Sequence, residues 1–203
     1  MEKSSQSAFR RHRWITLMGM LSALSYLLYL PLLRIPIVLF LELNFSEVVI
    51  FIGGFSLGPI AALFIGVFRF VFSLLFSTTG GIGEFADFLY SMAFVLPGAF
   101  LYQQKRDKHV ATIGFVIGFF TQLLVTSLLN ALVITDLYLT LFLDLTPEAF
   151  LGYIQTVLPH VENPYWSLVI WMYLPFNIFK NLVIIGITLL TYKRTHYYIK
   201  KLR

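Results

Sequence analysis

The sequence contains no cysteine and few charged residues. The absence of cysteine excludes disulfide bonds, thiolate metal sites and cysteine nucleophiles. Charged residues make up 12% of the 203 residues, about half of what a soluble domain usually carries. The polar segments are confined to termini and loops, and none matches a nucleotide-binding loop, a zinc-ligand spacing or a nucleophile elbow. The composition therefore argues against a soluble enzyme and against an ATPase domain in this chain.

What the chain has instead is long apolar segments. Hydrophobic residues make up 58% of the sequence and the mean hydropathy is +0.80, which is typical of an integral membrane protein. A helix needs about 20 apolar residues to cross a bilayer. Six segments are candidates: Trp14–Leu33, Ser46–Leu57, Pro59–Ser77, Phe85–Tyr102, Val110–Thr135 and Trp166–Tyr192. The second is short, but Gly58-Pro59 interrupts the helix, so we predict two helices joined by a tight turn.

The distribution of basic residues predicts the topology. With six membrane helices, twelve of the fifteen basic residues fall on one side, in segments 3–13, 105–108 and 193–203. An excess of Lys and Arg marks the cytoplasmic side. We therefore predict an all-α, multi-pass membrane protein, with six transmembrane helices and both termini cytoplasmic. Residues 1–203 would form one transmembrane domain, with cytoplasmic tails at 1–13 and 193–203.

The remaining charges fit this topology. The opposite, outer side holds mostly acidic loop residues, among which we place Glu42 and Glu47, with Arg34 as its only basic residue. The net charge of +5 also raises the question of nucleic-acid binding. Because the basic residues lie in tails and one loop beside the membrane, we interpret them as topology determinants in contact with anionic lipid and predict no nucleic-acid partner.

Ionisable and amide side chains inside the predicted helices are the candidate functional residues. Lys180 is the only charged residue between Trp166 and Tyr192, and Asn177 lies one turn earlier on the same helical face. A lysine at the centre of a membrane helix costs about 2.5–3.5 kcal/mol on insertion scales, so it persists where it faces a protein interior. The other helices contribute Arg69, Glu84, Asp87 and Asn130, and we add Asn44, at the end of the loop after the first helix, as a seventh candidate for substrate binding. In a six-helix bundle these side chains can converge on a polar pocket near the outer side.

Each of these residues also has a purely structural interpretation. Arg69 and Asp87 could form a buried salt bridge, and Lys180 could neutralise Glu84 without touching a ligand. Asn130 could bond a neighbouring helix. Several ionisable residues are unusual inside so small a membrane protein, and we therefore favour the pocket.

The first helix carries a pair of small residues. Gly19 and Ala23 are spaced at i and i+4, so they lie on one helical face. Small residues let another helix approach closely. The pair has two interpretations: packing within this bundle, or a docking strip for a separate membrane subunit.

Several short stretches, taken in order, resemble a known family. They are Gly19-Met20-Leu21-Ser22-Ala23, Asn44-Phe45-Ser46-Glu47, Gly53-Gly54-Phe55-Ser56-Leu57-Gly58-Pro59, Thr78-Thr79-Gly80-Gly81-Ile82-Gly83-Glu84, Leu128-Leu129-Asn130 and Pro175-Phe176-Asn177-Ile178-Phe179-Lys180. With their spacing over residues 14–192, the chain resembles the substrate-binding S-component of an energy-coupling factor (ECF) transporter, closest to the riboflavin type.

The resemblance implies a vitamin held near the outer face and covered by the loop after the first helix, roughly Arg34–Asn44. It implies polar ligand contacts at Asn130, Asn177 and Lys180, and a docking role for Gly19 and Ala23. The implied partners are a transmembrane coupling subunit and two cytoplasmic ATPases. ATP hydrolysis would belong to those partners, so we predict no enzyme activity and no cofactor for this chain.

The chain departs from the riboflavin-type pattern around the expected pocket. The differing positions are Glu42, Asn44, Arg69, Phe70 and Asp87. A related vitamin therefore remains an alternative. Pantothenate is one example, because Lys180 or Arg69 could bind its carboxylate.

Three other classes of function stay open. An intramembrane enzyme would use Glu84 and Asp87 with His160, although no second histidine lies near His160 in the sequence. A secondary transporter would work alone, driven by an ion gradient. A purely structural membrane subunit would bind no ligand.

Overall fold

The computed structural model describes residues 2–38, 41–144, 146–157, 159 and 163–201, and these are almost entirely helical. Within these ranges, nine α-helices follow one another, with one two-stranded sheet between the first and second helix. The outward faces of the helices carry large apolar side chains such as Ile60, Phe64, Phe120 and Leu190, as expected for lipid-facing surfaces.

Helix α1 runs over Glu2–Tyr29, and its end is set by a proline. Leu30 is extended, with ψ at 144°, because the ring of Pro31 disfavours a helical conformation in the residue before it. A short 3₁₀ turn, Pro31–Leu33, leads into the hairpin of β1 (Ile35–Val38) and β2 (Leu41–Leu43). The strands are antiparallel, with Ile35 opposite Leu43. The first apolar segment is thus helical only as far as Tyr29, and the expected outer loop is a hairpin.

Helices α2 (Ser46–Leu57) and α3 (Pro59–Ser73) are joined by the predicted tight turn. Gly58 has a φ of 107°, which favours glycine, and Pro59 occupies the first turn of α3. All residues of α2 except Leu57 are buried, so this short helix lies at the centre of the fold.

Helices α4 (Ile82–Gln104) and α5 (Lys108–Leu129) pack closely along glycines. A Cβ added at Gly114 would lie 2.7 Å from the Cα of Gly98, and one added at Gly118 would overlap the carbonyl oxygen of Phe94. The turn before α4 contains Gly80 and Gly81, both with positive φ, as expected for an outer turn in that segment.

The fifth and sixth predicted segments are interrupted by wide π-helical turns. Helix α5 continues into the turn Asn130–Ile134, α6 (Thr135–Tyr138) and the turn Leu139–Leu143. The loop that follows contains α7 (Pro147–Val157) and α8 (Pro164–Leu168). A third π-helical turn, Val169–Tyr173, precedes α9 (Leu174–Lys201).

Every predicted apolar segment forms helix over most of its length, and four helical stretches of the described ranges are long and apolar enough to cross a membrane. They are Pro59–Phe76, Ile82–Gln104, Lys108–Leu141 and Tyr165–Tyr192.

At one end of α2, Phe51 and Phe55 form an aromatic core with Phe94 and Phe115, with ring centroids 4.8–5.7 Å apart. At the other end of α2 the buried residues become polar, and the candidate site lies there.

Candidate functional site

A cavity of about 360 Å³ lies between the hairpin, the start of α4 and the segments around α5 and α9. This volume is within the range of small-molecule sites. Its wall combines polar groups with apolar and aromatic side chains, among them Tyr29, Tyr90, Tyr173 and Phe176. Six of the seven predicted ligand-binding residues line it: Asn44, Glu84, Asp87, Asn130, Asn177 and Lys180. The sequence-predicted convergence on one pocket is therefore observed.

Arg69, the seventh predicted residue, lies behind the cavity wall. Its side chain is almost fully buried, and Nη2 donates to Asp87 Oδ2 at 2.7 Å and to Ser91 Oγ at 2.9 Å. Nη1 donates to Ser46 Oγ at 2.6 Å, and the guanidinium lies over the Tyr29 ring. These bonds tie α2, α3 and α4 together. The Arg69–Asp87 salt bridge that the sequence suggested is thus present, and Asp87 also lines the cavity.

Lys180 is held by two carboxylates. Its ammonium lies 3.0 Å from Glu47 Oε1 and 3.4 Å from Asp87 Oδ1. The alternative pairing of Lys180 with Glu84 is therefore wrong, and Asn177 bonds to Gln122 and to the Tyr173 carbonyl instead of to Lys180. Glu47 is not an outer loop residue either, because it occupies the first turn of α2 and is completely buried.

The two ion pairs form one buried network, which we call the charge quartet: Glu47, Arg69, Asp87 and Lys180. Ser91 links its halves by accepting from Arg69 and donating to Glu47 Oε1 at 2.7 Å. The quartet contains two cations and two anions, so it is neutral. Burial of charge is tolerated when each ion is paired and hydrogen-bonded.

Glu84 has a different environment from the quartet. Its Oε2 accepts from Ser77 Oγ at 2.7 Å and from Thr79 Oγ1 at 2.9 Å. No basic side chain of the described residues lies within 4.0 Å of it. Arg34, at the cavity rim, is already paired with Glu42 at 3.2 Å. Glu84 therefore gives the cavity wall a carboxylate with no counter-ion in the described part of the chain.

The amide side chains are anchored by the helices that carry them. Asn130 opens a π-helical turn, and its Nδ2 donates to the Thr126 carbonyl at 2.9 Å. Such wide turns occur frequently at functional sites. Asn44, two residues before Ser46, accepts with Oδ1 from the Ser46 N–H at 3.2 Å and so satisfies one of the free N–H groups at the start of α2.

Two buried amides behind the wall were not identified from the sequence. Gln122 and Asn181 are fully buried and bond to each other and, through Gln122, to Asn177. A signal was present, because Gln122 is the only amide in α5, and Asn181 lies one turn after Asn177.

The remaining candidates lie elsewhere. Gly19 and Ala23 are on the exposed face of α1, and within the part of the chain that the structure describes a Cβ added at Gly19 would meet nothing within 4 Å. This exposure argues against their packing within the described bundle. His160 lies outside the described residues, and no group of three potential metal ligands occurs within the described part.

The comparison with known families decides between the classes of function that the sequence leaves open. A model of the substrate-specific component of ECF transporters matches residues 13–192. The chain belongs to this family. It is therefore a membrane transport protein of a substrate-binding kind, and not a catalytic enzyme.

Related proteins agree with the assignment of this S component. The riboflavin transporter RibU of Staphylococcus aureus (strain TCH60) is 29% identical over 191 residues, covering 94% of this chain and 93% of the relative. The riboflavin transporter FmnP of Bacillus subtilis (strain 168) is 25% identical over 176 residues, covering 84% and 85%. A solved S component of a bacterial ECF transporter has a TM-score of 0.72 and 26% identity, covering 94% of this chain and 99% of that one.

Proposed function

We propose that this S component binds riboflavin in the described cavity and delivers it to an ATP-driven importer. One observation carries the proposal: Asn130, Asn177 and Lys180, from two distant segments, face the same cavity of about 360 Å³. Pre-placed amide groups favour a ligand with matching polar atoms, since other ligands leave them unpaired. The names of the two relatives point to the same vitamin.

The charges around the cavity favour riboflavin over pantothenate. A carboxylate ligand requires a cation that is free to pair with it. Lys180 and Arg69 are each already matched by carboxylates of the quartet, and Arg34 by Glu42. A neutral ligand fits this arrangement better than an anionic one.

The outer hairpin would cover the bound ligand. Arg34, Leu41 and Glu42 line the cavity together with Asn44, so the hairpin already forms one of its walls. The Arg34–Glu42 pair and the strand pairing give this segment a defined shape.

In the proposed topology, six helices cross the bacterial cell membrane and both termini are cytoplasmic. Helices α1 and α2 would add to the four long apolar stretches, with α2 shielded from lipid by its neighbours because nearly all of it is buried. The charge distribution supports this orientation. The cavity then opens to the outside, where the vitamin is captured.

The proposed partners are a transmembrane coupling subunit and two ATPases. The exposed strip of Gly19 and Ala23 offers a close-approach surface for a partner helix. A protein that transports riboflavin alone in liposomes, driven by an ion gradient, would instead be a secondary transporter.

The test is riboflavin binding by the purified protein, followed as quenching of flavin fluorescence. We expect saturable binding with one site, weakened by Asn130→Ala and Asn177→Ala. The control is Thr188→Val, which alters a buried polar residue outside the cavity and should bind like the unaltered protein. Absence of riboflavin binding, or displacement of bound riboflavin by pantothenate at equal concentration, would contradict the proposal.

A further inference from the structure

A ladder of three amide side chains runs from the cavity wall into the helix interface between α5 and α9. Its members are Asn177, Gln122 and Asn181. Asn177 lines the cavity, whereas Gln122 and Asn181 do not and are completely buried. A buried amide costs free energy unless it is hydrogen-bonded, so these side chains are stabilised by bonding to one another.

The ladder is continuous. Asn177 Nδ2 donates to the backbone carbonyl of Tyr173 at 2.8 Å. Gln122 Nε2 donates to Asn177 Oδ1 at 2.8 Å, and Asn181 Nδ2 donates to Gln122 Oε1 at 2.8 Å. Each amide thus donates to the group before it.

The direction of the ladder is set by one backbone group. The oxygen and nitrogen of an amide are nearly equal in size, so shape alone does not orient the side chain. The Tyr173 carbonyl can only accept, so Asn177 turns its NH₂ group toward it. The Asn177 oxygen then faces Gln122, which must present its own NH₂ group, and Asn181 follows the same rule.

This order determines which hydrogen-bonding groups of the Asn177 amide are not used by the ladder. An asparagine amide has two N–H donors and two acceptor lone pairs. The Tyr173 carbonyl uses one donor and Gln122 uses one lone pair. One N–H and one lone pair therefore remain on a residue of the cavity wall.

We propose that Gln122 and Asn181 are positioning residues that hold the Asn177 amide in one orientation, so that the cavity presents a fixed donor–acceptor pair. The ligand class that matches is a planar heterocycle with a carbonyl and an N–H on one edge. The inference rests on the proposed function, because it requires a ligand at Asn177.

The competing role for the ladder is to join α5 to α9 and nothing more. In that case Gln122 would act on the stability of the bundle and not through Asn177. The two roles differ in one measurable respect, namely whether the effect of Gln122 on binding depends on the presence of the Asn177 amide.

The experiment is a double-mutant cycle on riboflavin affinity, measured by fluorescence quenching on the full chain. Gln122→Met preserves the size of the side chain and removes its donor and acceptor. We expect it to weaken binding roughly tenfold when Asn177 is present, as for the loss of one oriented hydrogen bond. In the Asn177→Ala background the same change should alter the affinity less than about twofold.

Two further variants make the result independent of any folding defect. Asn181→Leu breaks the ladder one step further from the cavity, and we expect a weaker effect with the same dependence on Asn177. Thr188→Val removes a buried polar group of α9 that is outside the ladder, and should leave affinity unchanged in both backgrounds. If Gln122→Met does not fold, the Asn181→Leu cycle decides.

The outcomes separate the two hypotheses. Equal weakening in both Asn177 backgrounds, or no weakening in either, would overturn the positioning role while the riboflavin site stands. No riboflavin binding by the unaltered protein would overturn the proposed function, and the positioning role with it.

Discussion

The ammonium of Lys180 lies 3.0 Å from the carboxylate of Glu47, a residue 133 positions earlier in the chain. The contact joins the first turn of α2 to α9 beside the cavity. Because both side chains are buried, the pair contributes to stability mainly by avoiding an unpaired charge. This relationship links the integrity of the bundle to the shape of the cavity.

Removal of one partner should therefore be more harmful than removal of both. Glu47→Gln leaves the quartet with an excess positive charge, and we expect it to destabilise the protein by about 3–5 kcal/mol. Glu47→Gln combined with Lys180→Met leaves the neutral Arg69–Asp87 pair, and should unfold at a higher temperature than Glu47→Gln alone. Thermal unfolding in detergent, followed by intrinsic fluorescence, measures the difference.

A control for this comparison exists in the same protein. Glu42→Gln breaks the ion pair with Arg34, in which the Glu42 side chain is 42% exposed. Such a partly exposed pair contributes about 1 kcal/mol or less, so the unfolding temperature should change little. If the double variant does not unfold at a higher temperature than Glu47→Gln, Lys180 stabilises the bundle through other contacts.

The carboxylate of Glu84 predicts selectivity against phosphorylated ligands. The quartet is neutral, the Arg34–Glu42 pair is neutral, and Glu84 adds one negative charge without a counter-ion among the described residues. A phosphate monoester carries about −1.5 to −2 charges at pH 7. We therefore expect riboflavin 5′-phosphate to bind more weakly than riboflavin. The preference for riboflavin, expressed as the ratio of the two affinities, should fall several-fold in Glu84→Gln.

Competition between the two flavins, measured at two salt concentrations, tests this idea. In Glu84→Gln the hydroxyls of Ser77 and Thr79 can still donate to the oxygen of the substituted amide, so the turn before α4 should keep its shape. Riboflavin binding should change less than phosphate-ester binding. An unchanged ratio in Glu84→Gln would exclude the carboxylate as the cause of selectivity.

Because α4 and α5 pack closely, we expect the stability of the protein to fall when a single methyl group is added between them. A Cβ at Gly118 would overlap the carbonyl oxygen of Phe94, so Gly118→Ala requires the two backbones to move apart. Small residues at such interfaces are what allow membrane helices to approach closely. We expect Gly118→Ala to lower the unfolding temperature by several degrees, roughly what a loss of 1–3 kcal/mol gives.

Gly186→Ala is the matched control, because a Cβ added there meets nothing within 4 Å. In an exposed helical position, alanine is favoured over glycine by about 1 kcal/mol, so this variant should be as stable as the unaltered protein or more so. Equal destabilisation by both changes would show that glycine flexibility, and not packing, matters in this bundle.

Much of the fold follows from patterns that are local in the sequence. Apolar segments and the Gly58-Pro59 break predicted the helices, because span length and proline chemistry depend on neighbouring residues only. The same holds for the convergence of Asn130, Asn177 and Lys180, since a polar side chain in an apolar helix must face the protein interior.

The partners of these side chains could not be predicted in this way. Glu47 starts an apolar segment, so its position at the segment end suggested a solvated outer residue, whereas the tertiary fold buries it against Lys180. The depth of a residue at a helix end depends on which helices surround it. Similarly, the sequence of α5 shows Gln122 as an isolated polar residue. Its partners Asn177 and Asn181 lie on α9 and come next to it only in the folded protein.

The exposed strip on α1 yields the last prediction, which separates ligand binding from assembly. Gly19 is exposed and a Cβ added there meets nothing within 4 Å among the described residues, so Gly19→Leu should not disturb the bundle. If a partner helix docks on the strip, the bulky side chain prevents its close approach. We expect Gly19→Leu to bind riboflavin like the unaltered protein but to lose the coupling subunit during purification of the co-expressed complex.

The control for this experiment is Gly186→Leu, which places the same side chain on another exposed helical glycine. A Cβ added at Gly186 also meets nothing within 4 Å among the described residues. This variant should keep both riboflavin binding and the coupling subunit, which distinguishes a specific strip from a general effect of added surface bulk. Ala23→Leu, one turn from Gly19 on the same face, should reproduce the Gly19→Leu result. If both strip variants retain the coupling subunit, the docking surface does not lie on this face of α1.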